Sequence, residues 1–236
     1  MPDFLSAFSP TEWEAIGLSL RVALVATFAA LPFALLAGHA LARWRFPGRN
    51  LLNALLHLPL ILPPVVTGYL LLVALGRQGF LGKPLDQWFG ITFAFRWTGA
   101  ALAAAVMGFP LLVRSIRLAI EGIDPRYEAA AATLGAAPLW RFFTIVLPLS
   151  LPGVLAGFVL AFAKALGEFG ATITFVSNIP GETRTLSAAI YTALEQPGGE
   201  PLALRLTLVS IVIAVAAVLA AEWLAARSPG RASRED

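Results

Sequence analysis

Histidine and cysteine, the residues that most often carry metal or nucleophilic chemistry, are scarce in this sequence. It contains no cysteine and two histidines, His39 and His57. Neither histidine has a second histidine or a paired carboxylate at the spacing of a metal-binding or acid–base motif. The sequence therefore gives no indication of a catalytic or metal site, and we do not expect an enzyme.

One glycine-rich segment, GRQGFLGKP, superficially resembles a nucleotide-binding loop. A phosphate-binding loop of that type needs glycine where this chain has Arg77, and serine or threonine where it has Pro84. The segment therefore lacks the residues that hold nucleotide phosphates. We expect no cofactor in this chain, so any uphill transport must draw its energy from another chain or from an ion gradient.

Lys164 and Glu168 are charged residues in an otherwise apolar stretch, four positions apart and hence on one face of a predicted helix. Ionisable residues inside a membrane-crossing helix often mark the path of a transported ion. Lys164 could line an anion route, or the two residues could form an internal ion pair that stabilises the helix. Hydroxyl groups of Thr172, Thr174 and Ser177 could likewise contact an anion or bond their own backbone. The sequence leaves these alternatives open.

The composition places the chain in a lipid bilayer. Hydrophobic residues make up 58% of the 236 positions and charged residues 13%, with a mean hydropathy of +0.78. So few charges do not cover the surface of a water-soluble protein of this size. The net charge is only +3 and the basic residues are not interleaved with aromatic residues, which argues against a nucleic-acid partner. We expect an all-α membrane protein.

Five stretches are long enough to cross the hydrocarbon core, which needs roughly 20 apolar residues in a helix. Prolines at positions 59, 63 and 64 must kink or interrupt the second of them, and we expect the others to be uninterrupted. Residues 76–97 predict an outer loop, and residues 185–194 predict a short surface helix. The spans lie near 17–42, 51–75, 98–120, 151–176 and 202–226, in a single transmembrane domain that covers residues 1–236.

The basic residues are distributed unevenly between the predicted loops, and this predicts the orientation of the chain. Ten arginines lie in the loops after the first and third spans and in the tail, against five basic residues in the opposite loops. Cytoplasmic loops carry the excess, so we expect the N-terminus outside and the C-terminus in the cytoplasm. The ten are Arg43, Arg45, Arg49, Arg114, Arg117, Arg126, Arg141, Arg227, Arg231 and Arg234; the five are Arg77, Lys83, Arg96, Arg184 and Arg205.

The inner loop from residue 124 to residue 148 is longer than a connection needs to be. Asp124 can cap a helix that has Pro125 at its first position, and Gly135 can end that helix in a left-handed conformation. Pro138 then predicts a second short helix that ends at Leu147 and Pro148. An alanine-rich helix this short is marginal in water, so we expect it to pack into a partner or to lie on the membrane face.

This loop resembles the coupling signature of the membrane subunits of ABC importers: EAA, three residues, glycine, nine residues, then Ile-x-Leu-Pro. Counting from the glycine places the signature's acid on Ala129, whereas the acid of this chain stands one residue earlier. In that family the loop docks into a cleft of a cytoplasmic ATPase subunit. The resemblance implies an ATPase-coupling role for Tyr127, Glu128, Ala130, Ala131, Gly135, Ile145, Leu147 and Pro148.

A second run, from Phe162 to Tyr191, resembles molybdate permeases almost continuously; sulfate permeases share its GEFG-like core and then diverge. The resemblance implies a homodimer in a bacterial inner membrane, two cytoplasmic ATPase subunits that carry the ATP, and an outer oxyanion-binding protein. Molybdate, and tungstate with it, is the implied substrate. The alternatives are a permease for sulfate or another oxyanion, and a secondary transporter, which would show interrupted helices in paired positions.

Overall fold

A computed structural model describes residues 8–226. Within that range the helices are joined by loops and there is no strand, and the predicted all-α membrane fold is confirmed. The tail arginines Arg227, Arg231 and Arg234 and residues 1–7 lie outside the described residues. The helices are α1 (Pro10–Arg43), α2 (Arg49–Ile61), α3 (Pro64–Leu75), α4 (Gly82–Phe89), α5 (Trp97–Glu121), α6 (Pro125–Thr133), α7 (Pro138–Arg141), α8 (Leu147–Leu166), α9 (Gly170–Val176), α10 (Leu186–Leu194) and α11 (Glu200–Ala226).

The number of spans agrees with the five predicted. Four helices are long and apolar enough to cross a bilayer, and α2 with α3 forms a fifth, bent candidate. The bend is 112° and falls at Leu62 and Pro63. Pro63 has no amide to donate, and Pro64 occupies the first position of α3, where a helix needs no donor. The proline cluster therefore interrupts the second span.

The fourth predicted span, residues 151–176, is not one helix, and the expectation that only the second span is interrupted was wrong. Helix α8 ends at Leu166, and the separate helix α9 starts at Gly170. In the break, the Glu168 carboxylate accepts a hydrogen bond from the amide of Ala171 at 2.9 Å. A side chain thus takes over an amide at the start of α9 that a continuous helix would have bonded internally.

The second helix of the inner loop does not end at Leu147 and Pro148 as predicted. From Pro138 the helix continues to Leu166 as one 29-residue span, through a π-helical turn at Phe142–Val146. In that turn the amide of Leu147 donates to the carbonyl of Phe142, five residues back. The turn has already left the i to i−4 pattern, so the missing amide of Pro148 does not end the helix.

Helix α5 is the centre of the bundle and packs between α1 and α8. Small residues bring the backbones close, as is usual where helices associate in membranes. A Cβ atom added to Gly38 of α1 would lie 2.7 Å from Ile116, and one added to Gly157 of α8 would lie 2.8 Å from Ser115. These contacts fix which sides of α5 face α1 and α8.

Polar contacts close the bundle at the end where α1 begins. Glu12, which belongs to the N-terminal capping box of α1, lies 3.1 Å from Arg205 of α11. The hydroxyl of Ser19 accepts a hydrogen bond from the amide of Leu186, at the start of α10, at 2.6 Å. The predicted surface helix at residues 185–194 is thus present as α10, and it is tied to α1.

Candidate docking surface and transport route

The loop between α5 and α8 presents a short helix and an apolar edge. The carboxylate of Asp124 accepts a hydrogen bond from the amide of Arg126 at 2.9 Å, so it caps α6 as predicted. Gly135 follows α6 with φ of 81°, the left-handed conformation that the sequence indicated. Exposed fractions of 89% at Leu134 and 70% at Leu139 leave two large apolar side chains uncovered beside this turn.

The residues that resemble the coupling signature are divided between two environments. Tyr127, Ala130 and Gly135 are exposed on or just after α6. Ile145 and Leu147 are half-buried in and next to the π-helical turn. The exposed group can therefore meet a partner, whereas the second group attaches the loop to the span that follows. Of the remaining signature residues, Ala131 is half-buried and Pro148 is exposed.

Glu128 points back into its own chain. Its Oε1 atom lies 2.8 Å from Nε of Arg43, the last residue of α1, and both side chains are about four-fifths buried, with 21% and 18% exposed. The Arg43 guanidinium also donates to the carbonyl of Ile123 at 3.0 Å. Arg141 of α7 donates to the backbone carbonyl of Glu128 at 3.4 Å. Helix α6 is thereby held to the ends of α1 and of the α7–α8 span.

Sequence reasoning missed this arrangement. It used Arg43 and Arg141 only to predict the orientation of the chain, and it left the role of Glu128 open. The two residues of the ion pair are separated by four helices, α2 to α5, and no periodicity connects them. One signal was available in the sequence. Glu128 lies in the predicted cytoplasmic loop after the third span, and the loop after the first span, on the same side, has an excess of arginines that could pair with it.

The histidines serve packing and local hydrogen bonding. The ring of His39 meets the ring of Phe142 edge to face, with centroids 5.1 Å apart, which joins α1 to the π-helical turn. The Nδ1 atom of His57 lies 2.8 Å from the carbonyl oxygen of Asn53, one turn earlier in α2. Neither imidazole forms a hydrogen bond with a carboxylate among the described side chains.

Lys164 and Glu168 form the ion pair that was one of the two interpretations. Their Nζ and Oε2 atoms are 2.6 Å apart, with Lys164 at the end of α8 and Glu168 in the break after it. The side chain of Glu168 is only 1% exposed, against 31% for Lys164. The charge of the lysine is therefore largely balanced by a buried carboxylate, which reduces its attraction for an anion.

Thr172 and Thr174 use their hydroxyl protons within α9. Thr172 donates to the carbonyl of Phe169 at 2.9 Å, and Thr174 donates to the carbonyl of Gly170 at 2.9 Å. Neither donor is free for an anion in this conformation. Helix α9 instead packs closely against α3: a Cβ atom added to Gly68 would lie 2.5 Å from the carbonyl oxygen of Ala171.

These features define a class: a multi-pass helical membrane protein with two interrupted spans in contact and an exposed helix in one loop. The family model of the binding-protein-dependent transport system inner membrane component matches residues 30–228. The chain belongs to this family.

Similar proteins agree with that assignment. The chain is 61% identical to the "Molybdenum transport system permease protein ModB" of Escherichia coli K12, over 94% of this chain and 97% of that protein. The protein of the same name from Haemophilus influenzae is 57% identical over 92% of this chain and 94% of its own length. The "Sulfate transport system permease protein CysT" of E. coli K12 is 39% identical over 80% of this chain and 68% of that protein.

Solved structures share the fold at low sequence identity. A chain of a bacterial alginate ABC transporter, in complex with an alginate pentasaccharide-bound periplasmic protein, matches 98% of this chain and 84% of its own length with a TM-score of 0.76 at 19% identity. A chain of the MetNI methionine ABC transporter in an inward-facing conformation matches 95% of this chain and 97% of its own length, with a TM-score of 0.67 at 13% identity. The fold is therefore that of ABC importer membrane subunits.

Proposed function

We propose that this chain is the membrane-spanning permease subunit of an ATP-driven importer that moves molybdate across the bacterial inner membrane. The observation that carries the proposal is 61% identity to a molybdenum transport permease over 94% of the chain. Tungstate is expected to pass as well, because its charge and size nearly equal those of molybdate. Sulfate is the second candidate, supported by the 39% identity to a sulfate permease over 80% of the chain.

ATP hydrolysis is assigned to a separate cytoplasmic chain. The only glycine-rich candidate loop of this sequence has Arg77 and Pro84 where nucleotide binding needs glycine and a hydroxyl residue. The exposed residues Tyr127, Leu134 and Leu139 form a surface suited to an apolar cleft on a partner. Docking there would transmit a movement of the ATPase to α5 and α8, the helices that the loop connects.

A homodimer is the expected membrane unit, with one ATPase subunit on each copy. The described part of one chain packs α5 at its centre, so a single bundle has no central passage. Helices α2 and α3 expose many large apolar side chains that a second copy or lipid must cover. The route would then run between two copies, near the contact of α3 with α9.

An outer binding protein is expected to deliver the oxyanion to the end of the bundle where α1 begins. The family is binding-protein-dependent by description, and the alginate transporter that shares the fold was solved with its periplasmic protein. The orientation that follows from the arginine distribution places residues 178–200 on that side.

Deletion of the gene tests the substrate. Cells that lack this protein should need more external molybdate to reach full molybdoenzyme activity, and their growth on limiting sulfate should be unchanged. A deletion that impairs only sulfate-limited growth would favour the second candidate. Complementation with the intact chain is the control.

A further inference from the structure

Arg114 was counted with the inner loop after the third span, but the structure places it inside α5, on a side of that helix that the rest of the bundle leaves open. Ile116 faces α1 at Gly38, and Ser115 faces α8 at Gly157. Arg117 faces α2, where it donates to the amide oxygen of Asn53 at 3.0 Å. Arg114 and Leu118, one turn apart, share the remaining side, and the 58% exposed fraction of Leu118 shows that this side is uncovered.

The neighbouring charges of α5 are already paired. Glu121 lies 2.8 Å from Arg117 and 3.8 Å from Arg49 of α2. Arg114 is exposed and forms no ion pair or hydrogen bond with the side chains that the structure describes, which are those of residues 8–220 and 223. It precedes the end of α5 by about 10 Å of helix, at 1.5 Å per residue. It is therefore an exposed arginine about two helical turns inside a membrane-crossing helix, without a partner among the described side chains.

A free arginine at this depth is costly against lipid and is usually found facing a water-filled cavity or a partner charge. We propose that Arg114 lines the inner half of the transport route and contacts the oxyanion as it leaves the contact of α3 with α9. This proposal rests on the proposed function of the chain as a molybdate permease, and it assigns one residue to the transport route. It replaces Lys164 as the principal cation, because Lys164 is balanced by Glu168 at 2.6 Å.

The chemistry of the side chain fits this role. A guanidinium presents several donors in a planar fork and binds tetrahedral oxyanions through paired hydrogen bonds, which an ammonium does not reproduce. In a homodimer two copies of Arg114 would face the same passage, which matches the two negative charges of the substrate. An exposed position lets each guanidinium release the ion again.

Transport by the reconstituted complex tests the role of the charge. Vesicles that contain the permease with its ATPase and binding protein are supplied with ATP inside and with labelled molybdate outside as the probe. Arg114→Gln should lower ATP-dependent uptake about tenfold or more, the usual effect of losing a hydrogen bond to a charged group. Arg114→Lys should be intermediate. Co-purification with the ATPase should be unchanged in both.

Arg45→Gln is the matched control, because Arg45 is also an exposed arginine but lies outside the spans, just after α1. It should transport like the unaltered protein. Uptake by Arg114→Gln within twofold of the control would overturn the proposal.

Solvent access is tested independently of transport, which the absence of cysteine allows. Arg114→Cys in inside-out vesicles should react with a charged, water-soluble thiol reagent, and molybdate should slow the reaction. Val212→Cys, at a residue 65% exposed on the peripheral helix α11, should stay unreactive. Reaction of Arg114→Cys as slow as that of Val212→Cys would place position 114 against lipid and overturn the proposal. If the unaltered complex fails to import molybdate, the proposed function fails, and the reactivity at position 114 still decides whether that side of α5 is wet.

Discussion

At the scale of residues, the ion pair between Arg43 and Glu128 changes what the acid of the coupling loop is expected to do. An acid on a solvated helix would contribute little, and an acid in an ATPase cleft would act between subunits. The structure instead pairs Glu128 within its own chain, at 2.8 Å from Arg43. The pair ties α6 to the end of α1, and we propose that this sets the angle at which the exposed side of the loop meets the ATPase.

Charge reversal tests this positioning role. Glu128→Arg alone, or Arg43→Glu alone, should weaken association with the ATPase, because either variant places like charges together in a largely buried site. Together they should restore it, with a coupling free energy of about 1–3 kcal/mol. Binding of the purified ATPase to permease in detergent micelles measures the effect. Additive losses in the double variant would contradict the account.

Gly135 provides a second test of the docking loop. Its φ of 81° is unfavourable for a β-branched residue by about 1–2 kcal/mol or more, and a Cβ atom there would meet nothing within 4 Å, so strain is the only cost. Gly135→Val should weaken ATPase association and abolish ATP-driven uptake, while the permease still inserts. Gly135→Asn should be milder, since asparagine tolerates the left-handed region.

Gly48, before α2, has φ of 85° and similarly open surroundings, so Gly48→Val introduces the same strain outside the docking loop. It should leave ATPase association intact. Loss of association in both variants would indicate a general folding defect, and full association and transport by Gly135→Val would remove the docking assignment.

At the scale of elements, the contact between α3 and α9 joins the two interrupted spans. Each helix follows a break, and glycine allows them to touch: a Cβ atom on Gly68 would lie 2.9 Å from the Cα of Ala171, and one on Gly170 would lie 2.7 Å from Pro64. Short helices that end in breaks can shift more readily than continuous spans. The helices that follow the two breaks are therefore packed directly against each other.

Gly68→Ala should force α3 and α9 apart and destabilise the protein by about 1–3 kcal/mol, the usual cost of overpacking. Thermal unfolding in detergent and molybdate uptake measure the effect. Gly17→Ala is the control, because Gly17 lies in α1 with nothing within 4 Å of an added Cβ. It should be neutral or slightly stabilising, since alanine is the better helix former. Equal stability of the two variants would show that the contact is not close-packed.

The sequence predicted elements where a local rule decides the outcome. Asp124, Gly135 and the prolines from 59 to 64 act through their own backbone positions, and the cap, the left-handed turn and the break were all found. It failed where side-chain contacts within one segment, rather than hydropathy, decide the outcome. In the break after Leu166, Glu168 caps α9 and pairs with Lys164. The hydropathy of the sequence stays high across this break and therefore gives no sign of it. The π-helical turn at Phe142–Val146 likewise leaves no mark in the pattern.

At the scale of the whole molecule, the arginine distribution predicts that residues 124–148 and the tail 227–236 face the cytoplasm, and that residues 1–12 and 178–200 face outward. Single cysteines test this. An impermeant reagent added to intact cells should label Glu195→Cys, after α10, and should label Arg126→Cys, on α6, only after the cells are opened. Labelling of Arg126→Cys in intact cells would reverse the assigned orientation.

The central claim is that this chain forms the passage of an ATP-driven molybdate importer, and reconstituted uptake tests it most directly. Vesicles that contain the permease, the ATPase and the binding protein should accumulate labelled molybdate only when ATP is supplied to the ATPase. Unlabelled tungstate should compete and sulfate should not. Accumulation of sulfate in place of molybdate, or accumulation of molybdate by the permease without the ATPase, would contradict the account.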